Sequence, residues 1–430
     1  MKSRHDISGQ LASPRPACSG SPAHLDFARQ RRLRILFCTH AFPPGVGKRF
    51  PGIRSAPHTQ ETHLGQALAK LAEVSTVGWL PAEIWGHLEP RDDSIGLEHE
   101  LLLWNRKPVL WHRWHGWRQL RHLYLTAVRQ HRRPDVLLVS NILPIFNHFV
   151  RWLRLQPGRP AIVLFLADCG GLGQRDSFWR RLRYKFKPMQ MMDNDAVLLY
   201  DACIGLSVAT RRYFEPRGVP WMWMPTAYNF SYDPPLTDPA QNGPIRFGYF
   251  GGLGNDSAPI LMVRAFLDSG ISGSLHICGF GENSEALSRL AKSHPRLHFD
   301  GLLQPTECMA WAQRVDVLIN PRLPIWENSF PSKIFQYGIT GKAILSTPTG
   351  GVDKVLGEQG IYFEAGNLEE SLRHKLQEVA IMDRIELQRR GDAIRNRILK
   401  DFNWNTQARR MVEFLEGAAK ATERSRRAGR

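Results

Sequence analysis

The stretch VDVLINPRLPIWENSFPSKIFQYGITGKAILSTPTGG, residues 315–351, decides the fold class of this chain. Its two ends, 315–320 and 343–347, are short apolar runs typical of buried strands, and a loop and a helical segment lie between them. A strand, a helix and a second strand in this order favour a parallel pair of strands that the helix covers. The stretch therefore predicts an α/β fold.

The same alternation extends in both directions along the chain. Before residue 215, strands are predicted at 33–37, 74–79, 135–140, 161–166, 196–200 and 202–207. Prolines interrupt the pattern between 216 and 243, and strands are predicted again at 245–250 and 274–278. Continuous apolar strands separated by helices indicate parallel sheets covered on both faces.

The proline-rich interruption predicts two domains. A length of 430 residues suits two domains of about 150–200 residues each. The predicted segments are a disordered basic tail (1–32), a first α/β domain (33–215), an interdomain linker (216–243), a second α/β domain (244–400), a final helix (401–418) and a basic tail (419–430).

The composition excludes several classes of protein. The net charge is +17, and hydrophobic residues make up 43% of the chain, which is enough for a core. Because no apolar run approaches about 18 residues, no transmembrane helix is expected, and the polar N-terminus has no apolar signal core. The six cysteines lack paired spacing, which excludes a zinc ribbon or a disulfide scaffold and favours a reducing, cytoplasmic setting.

Glycines follow two predicted strands of the second half. Gly251 and Gly252 follow one strand, and Gly279 and Gly281 follow the next. Glycine lets a backbone approach a phosphate, and the N-terminus of the following helix favours an anion. Neither loop is a complete G-x-G-x-x-G, and tight turns without a ligand also use glycine. Two such loops at one edge of a sheet favour a phosphate site.

The segment WENSFPSKIFQYG, residues 326–338, predicts a further part of an anion site. Pro331 suits the first turn of a helix, and Ser329 lies near the start of that helix. Lys333 then lies in the first turn, where helices normally favour acidic side chains, so an anionic ligand would compensate its charge. The alternative is a lysine that points to solvent.

Residues 330–351, FPSKIFQYGITGKAILSTPTGG, resemble the nucleotide-sugar signature of the family 4 glycosyltransferases, which have the GT-B fold. GYFGGLG, LHICGFGENSEALSRLAKSHPRLHFDGLL and CMAWAQRVDVLINP resemble successive units of that family in order and spacing. The first half resembles it only in architecture and in RILFCTHAFPPGVG. The resemblance implies two Rossmann-like domains facing a cleft, an acceptor domain and a nucleotide-sugar domain, and a final helix that crosses back to the first.

The chain departs from the family pattern at acidic positions. Gln336 stands where the family usually has a Glu that holds the ribose hydroxyls, and Asn328, beside Glu327, stands at the first Glu of the signature. Amides still hydrogen-bond to hydroxyl groups, but they carry no charge. In the first domain, Ala167 and Asp168 stand where a His–Asp pair is expected.

The resemblance implies a set of site residues. Catalytic roles are expected for Lys333, Asp168 and Glu327. The residues expected to bind the nucleotide sugar are Gly251, Gly252, Gly279, Gly281, Arg322, Asn328, Ser329, Phe330, Pro331, Ser332 and Gln336. Gly45 and Gly47 are expected to form a glycine loop in the first domain. No metal or cofactor is expected, because the Asp-x-Asp motif at 193–195 lies at a predicted helix-to-strand junction, where acids commonly form turns.

The implied reaction is retaining transfer from a nucleoside diphosphate sugar, with a lipid-linked saccharide of bacterial polysaccharide synthesis as the expected acceptor. Basic and aromatic residues at 104–133 and 178–187 suit an anionic membrane surface, so a cytoplasmic, peripheral location is expected. The alternative is that these segments are amphipathic helices packed on their own sheet. No module that reads nucleic acid is recognised. Two other functions stay open: an inactive nucleotide-sugar-binding protein, and an inverting transferase with Asp168 as base.

Overall fold

The structure is a computed structural model of the chain. It describes residues 31–39, 55–79, 98–102, 109–142, 144–167, 194–228, 243–254 and 257–428. In this part of the chain every helix is too short or too polar to span a bilayer.

A seven-stranded sheet forms the first half. Its strands are β1 (Arg34–Thr39), β2 (Glu73–Trp79), β3 (Glu98–Leu102), β4 (Val136–Ser140), β5 (Ala161–Leu166), β6 (Ala202–Gly205) and β7 (Trp221–Trp223). Their order is β3-β2-β1-β4-β5-β6-β7, and all neighbouring strands are parallel. The α-helices among the described residues of this half are α1 (Ser55–Ala69), α2 (Val109–Arg129), α3 (Pro144–Arg154) and α4 (Arg211–Phe214).

A six-stranded parallel sheet forms the second half. Its strands are β8 (Arg246–Gly252), β9 (Ser274–Phe280), β10 (Leu297–Gly301), β11 (Val317–Asn320), β12 (Ala343–Ser346) and β13 (Ile361–Tyr362). Their order is β10-β9-β8-β11-β12-β13. The helices are α5 (Pro259–Asp268), α6 (Ser284–Ser293), α7 (Pro305–Ala312), α8 (Lys333–Ile339), α9 (Val352–Leu356), α10 (Leu368–Ala380), α11 (Arg384–Asp401) and α12 (Trp404–Ala428). The predicted α/β class is confirmed.

Both sheets reverse their strand order beside their first strand. The reversal lies between β1 and β4 in the first sheet and between β8 and β11 in the second. In open parallel sheets, ligands bind outside the carboxyl ends of the strands at this point. The central strands β4 and β5 are buried along their whole length, as expected for strands covered on both faces.

An ion pair fixes the start of the second sheet. The Asp316 carboxylate accepts hydrogen bonds from the backbone N–H of Arg246 at 2.8 Å and from its guanidinium at 2.9 Å. Arg384 Nη1 lies 2.8 Å from the same carboxylate. Burial alone would raise the pKa of Asp316, but the hydrogen bonds from the two arginines outweigh burial and lower it. This carboxylate therefore joins β8 to α11.

The last helix packs on the first half of the chain. Lys70 Nζ donates to Asn405 Oδ1 at 3.2 Å, and Arg410 Nη2 donates to the backbone oxygen of Trp223 at 3.2 Å. Met411 and Leu415 are fully buried in a cluster with side chains of the first sheet. Helix α12 thus connects the second half back to α1 and β7.

Three segments that the sequence assigned to one kind of structure have another. Residues 196–200 were predicted as a strand, but 196–199 form the end of the 3₁₀ helix Asn194–Leu199, and Tyr200 follows it. The buried residues of this segment, 196, 197 and 200, are spaced as on one face of a helix. Strand β7, Trp221–Trp223, lies inside the predicted linker. It was not predicted because prolines flank its short apolar run and were interpreted as part of a linker. Helix α12 continues through the predicted tail to Ala428. Two ion pairs between residues one helical turn apart stabilise this extension, Lys420 with Glu416 and Arg427 with Glu423.

Candidate functional site

The backbones of β8 and β9 touch where the two strands end. Gly251 has a φ of +137° and Gly279 a φ of +154°, a region that residues with a side chain rarely adopt. A Cβ atom on Gly279 would lie 1.9 Å from the backbone oxygen of Gly251, and one on Gly281 would lie 2.8 Å from the backbone of Leu253. Gly252 faces open space. These glycines therefore form a cradle of bare backbone at the carboxyl edge of the second sheet.

Lys333 lies over this cradle. It is the first residue of α8, and its Nζ donates to the Tyr249 hydroxyl at 2.8 Å. A Cβ atom on Gly251 would lie 3.9 Å from the same Nζ. The structure thus brings together Lys333 and the glycine loop that the sequence assigned to one site.

Two tyrosines position the lysine. Lys333 Nζ lies 4.1 Å from the centre of the Tyr249 ring and 5.9 Å from that of Tyr337, so both ring faces attract the cation. The buried Tyr337 hydroxyl donates to the backbone oxygen of Phe250 at 2.8 Å and accepts from its N–H at 3.1 Å. Burial raises the pKa of Tyr337, so this hydroxyl stays protonated. Sequence reasoning did not assign either tyrosine; the one signal was the spacing of Tyr337 from Lys333 on α8.

The other residues expected around α8 differ in exposure. Gln336 is exposed and lies one turn after Lys333. Phe330 and Pro331 are buried, and the Phe330 ring packs 5.6 Å from that of Phe335, so these two hold the loop rather than present a polar group. Ser332 precedes the helix, and its side chain does not cap it.

The loop before α8 also contacts a glycine turn after β12. Gly350 has a φ of +80°, and a Cβ atom there would lie 2.6 Å from the backbone oxygen of Ser329. Gly351 has a φ of +100°, and a Cβ atom there would lie 2.9 Å from Val208, which belongs to the first half. The end of the predicted signature, PTGG, is therefore packed between this loop and the first domain.

Glu327 and Asn328 join the second half to the first. Arg212 of α4 forms an ion pair with the Glu327 carboxylate and donates to Asn328 Oδ1 at 3.2 Å. Ser207 Oγ donates to the backbone oxygen of Glu327 at 2.5 Å, and Asn328 Nδ2 donates to the Tyr213 hydroxyl at 3.3 Å. The hydrogen bond to Glu327 raises the pKa of Arg212, which is already a permanent cation. These contacts were not predicted.

Arg322 and the polar ends of β11 and β12 are buried at the same edge of the second sheet. Arg322 is 7% exposed, and its Cζ lies 5.9 Å from the centre of the Trp326 ring. Asn320 Nδ2 donates to Ser346 Oγ at 2.8 Å across the ends of β11 and β12. Arg322 thus lies at the same edge of the sheet as Lys333, but against an aromatic ring.

Several predicted site residues lie outside the described residues, namely Asp168, Gly45 and Gly47. The basic segment 178–187 also lies outside them. Among the residues that the structure describes, no group of three His, Cys, Asp or Glu side chains could hold a metal ion.

Residues 245–380 match the family model described as Glycosyl transferases group 1. Similar solved structures extend over nearly the whole chain. Sucrose-phosphate synthase from Thermosynechococcus elongatus matches with a TM-score of 0.65 and 14% identity, over 91% of this chain and 100% of its own. Anabaena Alr3699/HepE in complex with UDP matches with a TM-score of 0.61 and 14% identity, over 90% and 100%.

A third similar structure is the catalytic domain of starch synthase IV from Arabidopsis thaliana bound to ADP and acarbose. It has a TM-score of 0.63 and 11% identity, over 91% of this chain and 100% of its own. The fold is GT-B. The predicted GT-B architecture of two Rossmann-like domains is thereby confirmed, and the family match within the second half supports a glycosyltransferase. None of the curated proteins matches the chain.

Proposed function

We propose that the chain is a family 4 glycosyltransferase that transfers a sugar, with retention, from a nucleoside diphosphate sugar to an acceptor. The observation that supports this most is Lys333, whose Nζ lies beside the bare backbone of Gly251. An ammonium group at this point stabilises the negative charge that develops on a departing diphosphate. The similar structures bound to UDP and to ADP support a nucleoside diphosphate as the leaving group.

The two amides are proposed to bind hydroxyl groups of the donor. Gln336 is exposed one turn after Lys333 on α8, where its amide can accept from ribose hydroxyls. Asn328, at the contact between the two halves, is proposed to face the sugar. We propose that the chemistry needs no metal or cofactor, and that positioning by both domains and charge stabilisation by Lys333 lower the barrier.

Nucleotide titration tests the donor site. Calorimetry with UDP, ADP and GDP is expected to show binding of at least one, and Lys333→Ala should weaken it about 10- to 100-fold, because a hydrogen bond to a charged group contributes about 1.5–3 kcal/mol. Lys354→Ala is the matched control, since Lys354 is an exposed lysine of α9 whose side chain is 61% accessible. Equal affinity of wild type, Lys333→Ala and Lys354→Ala would refute the assignment.

The stereochemistry of the product tests retention. NMR of a product made from an α-linked donor should show an α-linkage. A β-linked product would instead favour the inverting mechanism, with Asp168 as base.

A second candidate function is nucleotide-sugar binding without turnover. Amides stand at 328 and 336 in place of the family's carboxylates, and the neighbouring Glu327 is engaged by Arg212. Tight nucleotide binding together with no transfer from any nucleotide sugar to lipid-linked or soluble saccharides would support this function.

We also propose that the acceptor is a lipid-linked saccharide of bacterial polysaccharide synthesis, reached at the cytoplasmic membrane surface. Helix α2 supports this, because Arg118, Arg121, His122 and Arg129 are exposed and the helix contains no acidic residue. Each Lys or Arg near an anionic leaflet contributes about 1 kcal/mol. The opposite face of α2 packs on the sheet through Leu120 and Tyr124, as the alternative interpretation of an amphipathic helix predicted.

Liposome sedimentation tests the membrane contact. The triple variant Arg118→Glu, Arg121→Glu and Arg129→Glu should lose binding to anionic vesicles, and salt should weaken binding by the wild type.

The control is an equal charge change on the second domain, Arg264→Glu, Arg289→Glu and Lys292→Glu, at exposed positions of α5 and α6. Equal loss in both triple variants, or no binding by the wild type, would refute the proposal.

A further inference from the structure

Two cysteines of the second domain lie side by side. Cys278 Sγ and Cys308 Sγ are 3.6 Å apart, although the residues are 30 positions apart in the sequence. Cys278 belongs to β9, immediately before Gly279, and Cys308 lies in the first turns of α7. Because a disulfide bond is about 2.05 Å long, the sulfur atoms need to approach by only about 1.5 Å to be joined.

The two thiols differ in access and in acidity. Cys278 is fully buried, whereas Cys308 is half-buried and can meet a small oxidant. The hydrogen bond between the sulfurs lowers the pKa of Cys308 and raises that of Cys278. Burial and the charge of Glu307 oppose the lowering of the Cys308 pKa, and burial and the charge of Asp300 add to the raised pKa of Cys278. Cys308 is therefore the more nucleophilic and more accessible member of the pair.

We propose that Cys278 and Cys308 form a redox-modification site in which a peroxide joins them in a disulfide. The Cys308 thiolate attacks hydrogen peroxide, the O–O bond breaks, and a sulfenic acid and hydroxide form. The Cys278 sulfur then displaces the hydroxyl group, which leaves as water with the Cys278 proton. The two thiols lose two electrons in total, and the peroxide is reduced to two waters.

The disulfide would act directly on the glycine cradle. Gly279, next to Cys278, lies so close to β8 that a Cβ atom on it would be 1.9 Å from the oxygen of Gly251. Gly251 in turn lies beneath Lys333. Pulling Cys278 toward α7 therefore changes the spacing of β8 and β9 where the diphosphate is proposed to bind. This consequence rests on the proposed function, whereas disulfide formation does not.

Disulfide formation is tested on the full chain with Cys18 and Cys169 replaced by serine. After treatment with hydrogen peroxide and blocking of free thiols, peptide mass spectrometry should find residues 278 and 308 linked, with a loss of about 2 Da that dithiothreitol reverses. Cys308→Ser should abolish the link, and Cys278→Ser should leave a sulfenic acid on Cys308 that dimedone traps. Cys38→Ser, which removes a fully buried thiol of β1, should leave the link unchanged. Free thiols at both 278 and 308 after peroxide treatment would overturn the proposal.

Titration with UDP, ADP and GDP before and after oxidation tests the coupling. Oxidation should weaken binding of the preferred nucleotide at least fivefold, dithiothreitol should restore it, and Cys308→Ser should be insensitive. A disulfide that leaves affinity unchanged would overturn the coupling to the cradle. If the reduced protein binds no nucleotide while the disulfide still forms, the proposed function fails and the redox site stands.

Discussion

Replacing Gly279 by alanine should disrupt the cradle at the ends of β8 and β9. The added Cβ would lie 1.9 Å from the oxygen of Gly251 and 3.3 Å from Leu253 Cγ, and alanine would have to adopt a φ of +154°. A backbone conformation of this kind costs about 1–3 kcal/mol, and overpacking costs about 1–3 kcal/mol more. The variant should therefore lose roughly 2–6 kcal/mol of stability.

Thermal unfolding and nucleotide titration measure this loss. For a unit of 150–250 residues, 1 kcal/mol corresponds to about 2–4 °C, so the unfolding midpoint of Gly279→Ala should fall by at least about 4 °C. Nucleotide affinity should fall as well, because β8 must move away. Gly252→Ala is the matched control for the unfolding midpoint, since no atom outside its chain neighbours lies within 4 Å of a Cβ there. A midpoint for Gly279→Ala within about 1 °C of wild type, or an equal loss in Gly252→Ala, would refute the close contact between the strands.

Three further experiments test the surroundings of the site. Tyr337→Phe leaves the N–H and C=O of Phe250 without their partner, so unfolding in urea should show a loss of about 1–3 kcal/mol. A double-mutant cycle on Arg212→Ala and Glu327→Ala should give a coupling of only about 0.2–1 kcal/mol, because both side chains are nearly half exposed, at 49% and 44%. Asp316 has a lowered pKa, so its ion pair stabilises fully above the ordinary value of 3.8, and the stability advantage of wild type over Asp316→Asn should shrink as the pH falls below it.

The strands that the sequence predicted well are those with continuous apolar runs. Residues 161–166 were predicted as a strand and form β5 with the same bounds, since AIVLFL is buried throughout. Strand β3 was missed because EHELL begins with three polar residues and has no apolar run, as an edge strand can. The 196–200 run is as apolar as a strand, and its helical turn is set by tertiary packing, which hydropathy does not report.

The site could be predicted where it depends on local sequence and not where it depends on distant contacts. Glycines after strands and a lysine at a helix start are local signals, and the structure brings Lys333 and Gly251 together. The hydrogen bond from Lys333 to Tyr249 joins residues 84 positions apart, and its formation depends on how α8 lies against β8. Neither helix periodicity nor strand alternation contains that information.

The contact between Arg212 and Glu327 bears on whether Glu327 can serve in catalysis. In this structure its carboxylate is engaged by Arg212, and its backbone oxygen accepts from Ser207. An ion pair this exposed contributes at most about 1 kcal/mol. A donor that binds with a Kd of 1 µM releases about 8 kcal/mol, several times the cost of separating the pair. The ion pair is therefore too weak to hold the two halves in one arrangement, and Glu327 stays a candidate for a role at the sugar once a donor enters between them.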